Sequence, residues 1–176
     1  MYAPERHQQI LETARAFGRV DVASLARDLS ATPEPVRRKL TAVTHSLPVA
    51  NAVVNRSNIT LKLLGGVVRG RTLAAVGGWT RSQVAEIFAD VAFMGSSGIS
   101  VERGLTTPDI AEATVKRALM NAARRTVVLV DHTRFGREDF ASVAPLSDVD
   151  TIITDLQLSA DYADDIDKAG PRVVMV

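Results

Sequence analysis

From residue 41 onward, short apolar runs alternate with stretches of helical periodicity, and no other feature restricts the fold as much. Residues 41–44 read as a strand, 47–54 as a helix opened by Ser46 and Pro48, and 59–64 as a strand stopped at Gly65-Gly66. Val84, Ile87 and Phe88 mark a helix, 91–94 a strand, 110–123 a long helix and 126–130 a strand. The pattern closes with a strand at 151–154, a helix at 160–169 and a strand at 173–176. Strands of four to six apolar residues alternating with helices imply a mainly parallel sheet covered on both faces. In such sheets ligands bind beyond the carboxyl ends of the strands.

The first 41 residues have a different texture. Ile10, Leu11, Ala14 and Phe17 follow helical spacing between Pro4 and Gly18, and Val22, Leu25, Ala26 and Leu29 form a second stripe capped by Asp21. A third helix opens at Thr32, an N-cap, with Pro33 at the first helical position and Glu34 complementing the positive helix end. Val36 and Leu40, four apart, supply its buried edge, which leaves Arg37, Arg38 and Lys39 projecting outward. A basic triplet taken alone is more often a solvated face, and a generic three-helix bundle shares this periodicity. Two short helices separated by a turn, the second of them basic, nevertheless form a helix-turn-helix arrangement that can enter a major groove. Thr32, Glu34, Arg37, Arg38 and Lys39 are therefore the candidate DNA contacts, and a double-stranded operator the candidate partner.

Charge is consistent with a local nucleic-acid face and not a global one. The net charge is +1, yet residues 1–40 hold seven basic and five acidic side chains, whereas 148–168 hold seven aspartates and one lysine. The absence of cysteine excludes disulfides and thiolate metal sites, and no apolar run approaches a membrane span, so a cytoplasmic protein is expected. His7, His45 and His132 are widely separated and make no metal-ligand spacing. With no nucleophile elbow, phosphate-loop lysine motif or paired catalytic carboxylates, the sequence predicts no enzyme, metal or cofactor.

Candidate ligand contacts cluster where strands are expected to end. Gly95-Ser96-Ser97-Gly98 can form an anion-binding turn, and Thr106 and Thr107 can present hydroxyls over the same crevice; both stretches could equally be ordinary strand-to-helix loops. Lys116 flanks a helix stripe of Ala111, Val115, Ala118, Leu119 and Ala122, from which it could reach a phosphate or snorkel to water. Asp131 closes an apolar strand, where it can contact a polar ligand or cap the next turn.

These residues carry a family resemblance. Glu5-Arg6-His7-Gln8-Gln9-Ile10-Leu11, Gly18-Arg19-Val20-Asp21-Val22, Leu25-Ala26 and Val36-Arg37-Arg38-Lys39-Leu40 resemble the amino-terminal domain of DeoR-type bacterial transcription regulators. Pro35 and Lys39 depart from that pattern, which usually has Thr and Asp there. Leu64-Gly65-Gly66, Phe93-Met94-Gly95-Ser96-Ser97-Gly98-Ile99, Gly104-Leu105-Thr106-Thr107-Pro108-Asp109, Val115-Lys116-Arg117-Ala118 and Val130-Asp131-His132-Thr133-Arg134-Phe135-Gly136 resemble the effector-sensing domain of the same family. The resemblance implies a small all-α helix-turn-helix head over residues 1–41 and, over 42–176, an α/β domain similar in fold to sugar-phosphate isomerases. It also implies a homo-oligomer and a phosphorylated-sugar effector held by Gly95, Ser96, Ser97, Gly98, Thr106, Thr107, Lys116 and Asp131.

Against that family the middle of the chain looks short. Leu40 runs straight into Thr41-Ala42-Val43-Thr44-His45-Ser46, with no room for a β-wing or for the phosphate-cradling loop of the first effector strand. The expectation is a DNA-binding regulator, a repressor of sugar-metabolism genes, with an impaired response to its effector and a truncated sheet that has an extra exposed edge and an uncovered apolar face. An isomerase-like sugar-phosphate-binding protein and a non-functional remnant are the alternatives.

Overall fold

In the computed structural model, which describes residues 39–176, the chain runs through β1 (Leu40–Thr44), α1 (Leu47–Val53), β2 (Ile59–Leu63), β3 (Val67–Arg69), β4 (Ala74–Val76) and α2 (Gly78–Val84). It continues through β5 (Ala89–Met94), β6 (Gly98–Ser100), β7 (Gly104–Thr107), α3 (Ile110–Asn121), β8 (Ala123–Leu129), β9 (Ala141–Ala144), β10 (Thr151–Thr154), α4 (Ala160–Lys168) and β11 (Arg172–Met175). The described residues divide into two compact units, 39–43 with 48–62, and 44–47 with 63–176. The expected helix-turn-helix head, with Thr32, Glu34, Arg37 and Arg38, lies outside the described residues.

In the first unit β1 and β2 pair, and the Leu40 amide donates to the Asn58 carbonyl at 2.9 Å. This corrects the reading of Leu40 as the buried edge of a helix. It opens a strand and is exposed, as is Lys39 before it.

The second unit is built on an all-parallel sheet in the order β11-β10-β8-β5. Its strand β10 is a short run of β-branched residues, Thr151-Ile152-Ile153-Thr154, whose stiff side chains suit a pleated surface. Register aligns Met94, Val128, Ile152 and Val173 in one row, and the first three are buried. Ala113 and Met120 of α3 and Ile166 of α4 join these residues in a single core cluster. Each step from β5 to β8, β10 and β11 moves the same way across the sheet. Crossovers of one hand then place their connecting elements on one side, here the side of that row.

The other side of the sheet is different. Val91, Phe93, Val127, Leu129, Ile153 and Val174 share it by register, none is buried, and Phe93 is 66% exposed. Within this unit the sheet is thus covered on one face: the alternation alone suggested two covered faces, and the shortened middle of the chain an uncovered apolar one.

Two small antiparallel arrangements, β3 with β4 and β6-β7-β9, were absent from the sequence reading. The helix expected around Val84, Ile87 and Phe88 instead spans Gly78–Val84; Ile87 and Phe88 follow its end, and Phe88 lies under the Arg124 guanidinium at 5.4 Å. Helix α3 is anchored to β9 by Arg117, whose guanidinium donates to the carbonyls of Val143 at 3.1 Å and Ser142 at 2.7 Å.

Candidate functional site

At the carboxyl end of β5 the chain turns at Gly95-Ser96-Ser97, and α3 delivers Lys116 to that turn. The Lys116 ammonium donates to the Gly95 carbonyl at 3.0 Å and pairs with Glu112 at 3.0 Å, one helical turn earlier. Both side chains are almost fully buried, 12% and 9% exposed, so each charge depends on the other for the solvation it has lost. Glu112 is placed there by its helix: Asp109 caps α3 by accepting from the Glu112 amide at 2.8 Å, and Glu112 stands in the first turn, where a carboxylate meets the positive helix end.

Arg69, from the end of β3, completes the group. It pairs with the second Glu112 oxygen and lies 3.4 Å from Asp109. His45 stands in the field of this cluster. Burial holds its imidazole below the ordinary range, Lys116 pushes it further down, and Glu112 opposes both. With His45 neutral, two cations face two carboxylates and the cluster carries no net charge.

The carboxyl ends of β8 and β10 are tied together by a second group. The His132 amide donates to Asp155 at 2.9 Å, and His132 Nδ1 lies 2.9 Å from the other Asp155 oxygen. Burial acts to raise the Asp155 carboxyl, but the amides of His132 and Gln157 and the His132 ring together carry it below its ordinary range. Asp131 accepts from the Thr133 amide at 3.0 Å, caps the 3-10 turn His132–Arg134, bonds the Thr133 hydroxyl and pairs with Arg134 at 3.6 Å.

The predicted residues are thus distributed over three settings. Gly95 and Lys116 meet directly. Ser96 shares its hydroxyl between the carbonyls of Gly98 at 2.8 Å and Thr106 at 3.1 Å, and the Ser97 amide donates to Thr106 at 3.3 Å. These bonds start the β6-β7 hairpin, so Gly95–Gly98 is a strand-to-strand turn. Gly98, Thr106 and Thr107 are buried; the Thr106 hydroxyl accepts from the Asp139 amide at 3.0 Å, whereas the Thr107 hydroxyl has no partner. Asp131 stands apart with the His132–Asp155 pair.

Sequence reasoning passed over Glu112, Arg69 and Asp155. Glu112 carried a readable signal, four residues before Lys116 on the same helix. Arg69 and Asp155 carried none, because only the fold brings them to their partners. The helix stripe also shifts: α3 buries Glu112, Ala113, Val115 and Met120, with Ala111 and Ala118 only half-buried. Among the described residues no group of three or more His, Asp or Glu could hold a metal ion, and no helix is long and apolar enough to cross a membrane.

A parallel sheet with a lysine–carboxylate cluster at the carboxyl end of β5 and an aspartate–histidine pair at those of β8 and β10 belongs to the α/β class, in which ligands bind beyond the carboxyl ends of the strands. The family whose sequence model is described as the DeoR C terminal sensor domain matches residues 22–156, and the chain belongs to the DeoR family of transcriptional regulators. It is 34% identical over 181 residues to the HTH-type transcriptional regulator GlpR of Haloferax volcanii, an alignment covering 97% of this chain and 71% of that one. It is 31% identical over 139 residues to the glycerol-3-phosphate regulon repressor of Escherichia coli K12, covering 76% of this chain and 55% of the relative. A putative aga operon transcriptional repressor of Escherichia coli O157:H7 is 29% identical over 135 residues, 77% of this chain and 50% of that one. The chain therefore spans about half the length of the last two.

Proposed function

We propose that this protein is a cytoplasmic DNA-binding repressor of genes for phosphorylated carbohydrate metabolism, working as a homo-oligomer, with a weakened response to its effector. The residues before β1, up to Lys39, form its helix-turn-helix head, in which Arg37, Arg38 and Lys39 contact phosphates and base edges, with Thr32 and Glu34 at the start of the recognition helix. The residues from β1 onward form the sensing domain. A relative named for the glycerol-3-phosphate regulon supports a phosphate ester as the effector class. The ester is held at the turn Gly95, Ser96, Ser97, Gly98, flanked by Thr106 and Thr107, with Lys116 as the cation; Asp131, which stands apart from that turn, takes no part in holding the phosphate.

The observation that carries the weakened response is the commitment of Lys116. Its ammonium already bonds Gly95 and Glu112, and Glu112 is shared with Arg69. An incoming phosphate competes with a buried carboxylate for the same charge, in a cluster with no net charge to offer. The chain also has no room between Leu40 and His45 for a separate phosphate-cradling loop.

Fluorescence anisotropy with DNA from upstream of the protein's own gene tests the DNA half. Expected is binding tighter than to random duplex, weakening steeply with salt, and losing about 1–3 kcal/mol with each of Arg37→Ala and Arg38→Ala. Affinity equal to that for random duplex would remove the repressor reading. Thermal shift with glycerol 3-phosphate tests the sensor half: a small shift for the native protein and a larger one for Glu112→Gln, which frees Lys116. Equal shifts would show that Lys116 is not the limiting group.

A further inference from the structure

Glu112 has two cations, one on each oxygen. Its Oε1 lies 3.0 Å from the Lys116 ammonium, and its Oε2 pairs with the Arg69 guanidinium, which is also 3.4 Å from Asp109. Only the lysine of this pair reaches the Gly95 turn, where it donates to the Gly95 carbonyl. Arg69 makes no hydrogen bond to that turn among the described residues, so the nearest group it acts on is the carboxylate that holds Lys116.

The fold braces Arg69 in that place. It ends β3, pairs in register with Ala74 of β4, and its carbonyl accepts from the Leu73 amide at 2.7 Å. The turn between the two strands is also held from outside: the Leu73 carbonyl accepts from the Leu47 amide at 2.9 Å, and the Ala75 amide donates to the His45 carbonyl at 2.7 Å. Leu73 takes a φ of 52°, a left-handed conformation that leucine rarely adopts. These bonds, and not the residue's own preference, therefore shape the turn that delivers the arginine.

We infer that Arg69 is the positioning residue that allows Lys116 to be released to a phosphate ester, by taking over Glu112 when the ligand takes the lysine. This deepens, and rests on, the reading of Lys116 as the cation of the effector site. Removing one partner of a buried ion pair strands the other charge, at a cost well above what the pair itself contributes. Were Lys116 its only cation, the buried Glu112 would hold the lysine against an incoming ligand. Arg69 removes that constraint. Its planar fork can bond both carboxylate oxygens at once, so the guanidinium can fill the place that the ammonium leaves. Asp109, 31% exposed, keeps enough water to give up its share of the arginine. Arg69 thus raises the affinity for a ligand it does not touch, and Glu112 lowers it.

Titration of the full chain with glycerol 3-phosphate, read by phosphorus NMR, tests this in the native protein, Arg69→Gln, Glu112→Gln and the double variant, each verified as folded by circular dichroism. Expected is a loss of about tenfold in affinity for Arg69→Gln and a gain for Glu112→Gln. The double variant should stay within about twofold of Glu112→Gln, because without the carboxylate Arg69 has nothing to take over. Arg69→Lys keeps the charge but not the fork and should fall between native and Arg69→Gln; it replaces Arg69→Gln if that variant does not fold. Unchanged or higher affinity in Arg69→Gln overturns the inference. So does a double variant that loses as much as Arg69→Gln alone, since Arg69 would then contact the ester itself. A native protein that binds no ester while Glu112→Gln does overturns it too, because Arg69 then fails to release the lysine. Lys116→Met in the Glu112→Gln background checks the underlying reading. If it leaves affinity unchanged, or if no variant binds, that reading and the inference fall together. If it abolishes binding while Arg69→Gln alters nothing in the otherwise native chain, the reading stands and the inference alone fails.

Discussion

Glu112 shows what a single buried charge demands. With 9% of its side chain exposed it would be strongly disfavoured as an ion, and Arg69 and Lys116 together supply the compensation. His45, nearby, is held neutral by burial and by Lys116. Its folded-state pKa is lowered, so below about pH 6.5 the unfolded chain takes up a proton that the folded one resists, and stability falls as pH drops through that range. Urea unfolding at pH 7.5 and pH 5.5 should show this loss, and His45→Gln should flatten it. Asp155 acts in the same direction in a lower window: its carboxyl is also lowered when folded, and that contribution is lost only below about pH 4. Gly98 is constrained by space. A Cβ there would lie 2.5 Å from the Arg137 carbonyl oxygen and 2.6 Å from Thr106 Oγ1, so Gly98→Ala should destabilise by about 2 kcal/mol or more, read from the shift in urea midpoint.

Among the elements, α3 organises the second unit. Asp109 starts it, Ala113 and Met120 pack it on the sheet, and Arg117 bonds it to β9. Asp109→Ala removes the cap and should destabilise by about 1 kcal/mol in urea unfolding, with little added by the Arg69 contact, where the carboxylate is 31% exposed. Where elements are long or strongly patterned, the sequence reading located them: α3, β8, β10 and α4 lie within three residues of their expected bounds. The short antiparallel strands escaped it for a physical reason. Val67-Val68-Arg69, Ala74-Ala75-Val76 and Gly98-Ile99-Ser100 have three residues each, too few to display a period of two, and their hydrogen-bond partners lie on other strands. The helix misplaced onto Ile87 and Phe88 fails similarly, since those apolar residues follow α2 and lead into β5.

At the scale of the molecule, composition and local pattern determined a great deal. The alternation of apolar runs with helical stripes was enough for an α/β class with a parallel sheet, because burial on a pleated strand or a helix stripe is written in the chain at periods of two and 3.6. Ordered motifs such as Gly104-Leu105-Thr106-Thr107-Pro108-Asp109 and Val130-Asp131-His132-Thr133-Arg134 were enough for the family. What only the tertiary structure decided is what depends on distant residues meeting. Arg69 reaches Glu112 across 43 positions, and Asp155 meets His132 across 23. Sequence could not tell which face of the sheet its helices cover, because that follows from the direction in which successive strands are added, and strand order is encoded in no local pattern. The same geometry commits Lys116 to Gly95 and Glu112 and leaves Phe93 in the open, so the lysine's pairing and the exposed aromatic are properties of the fold, not of either residue.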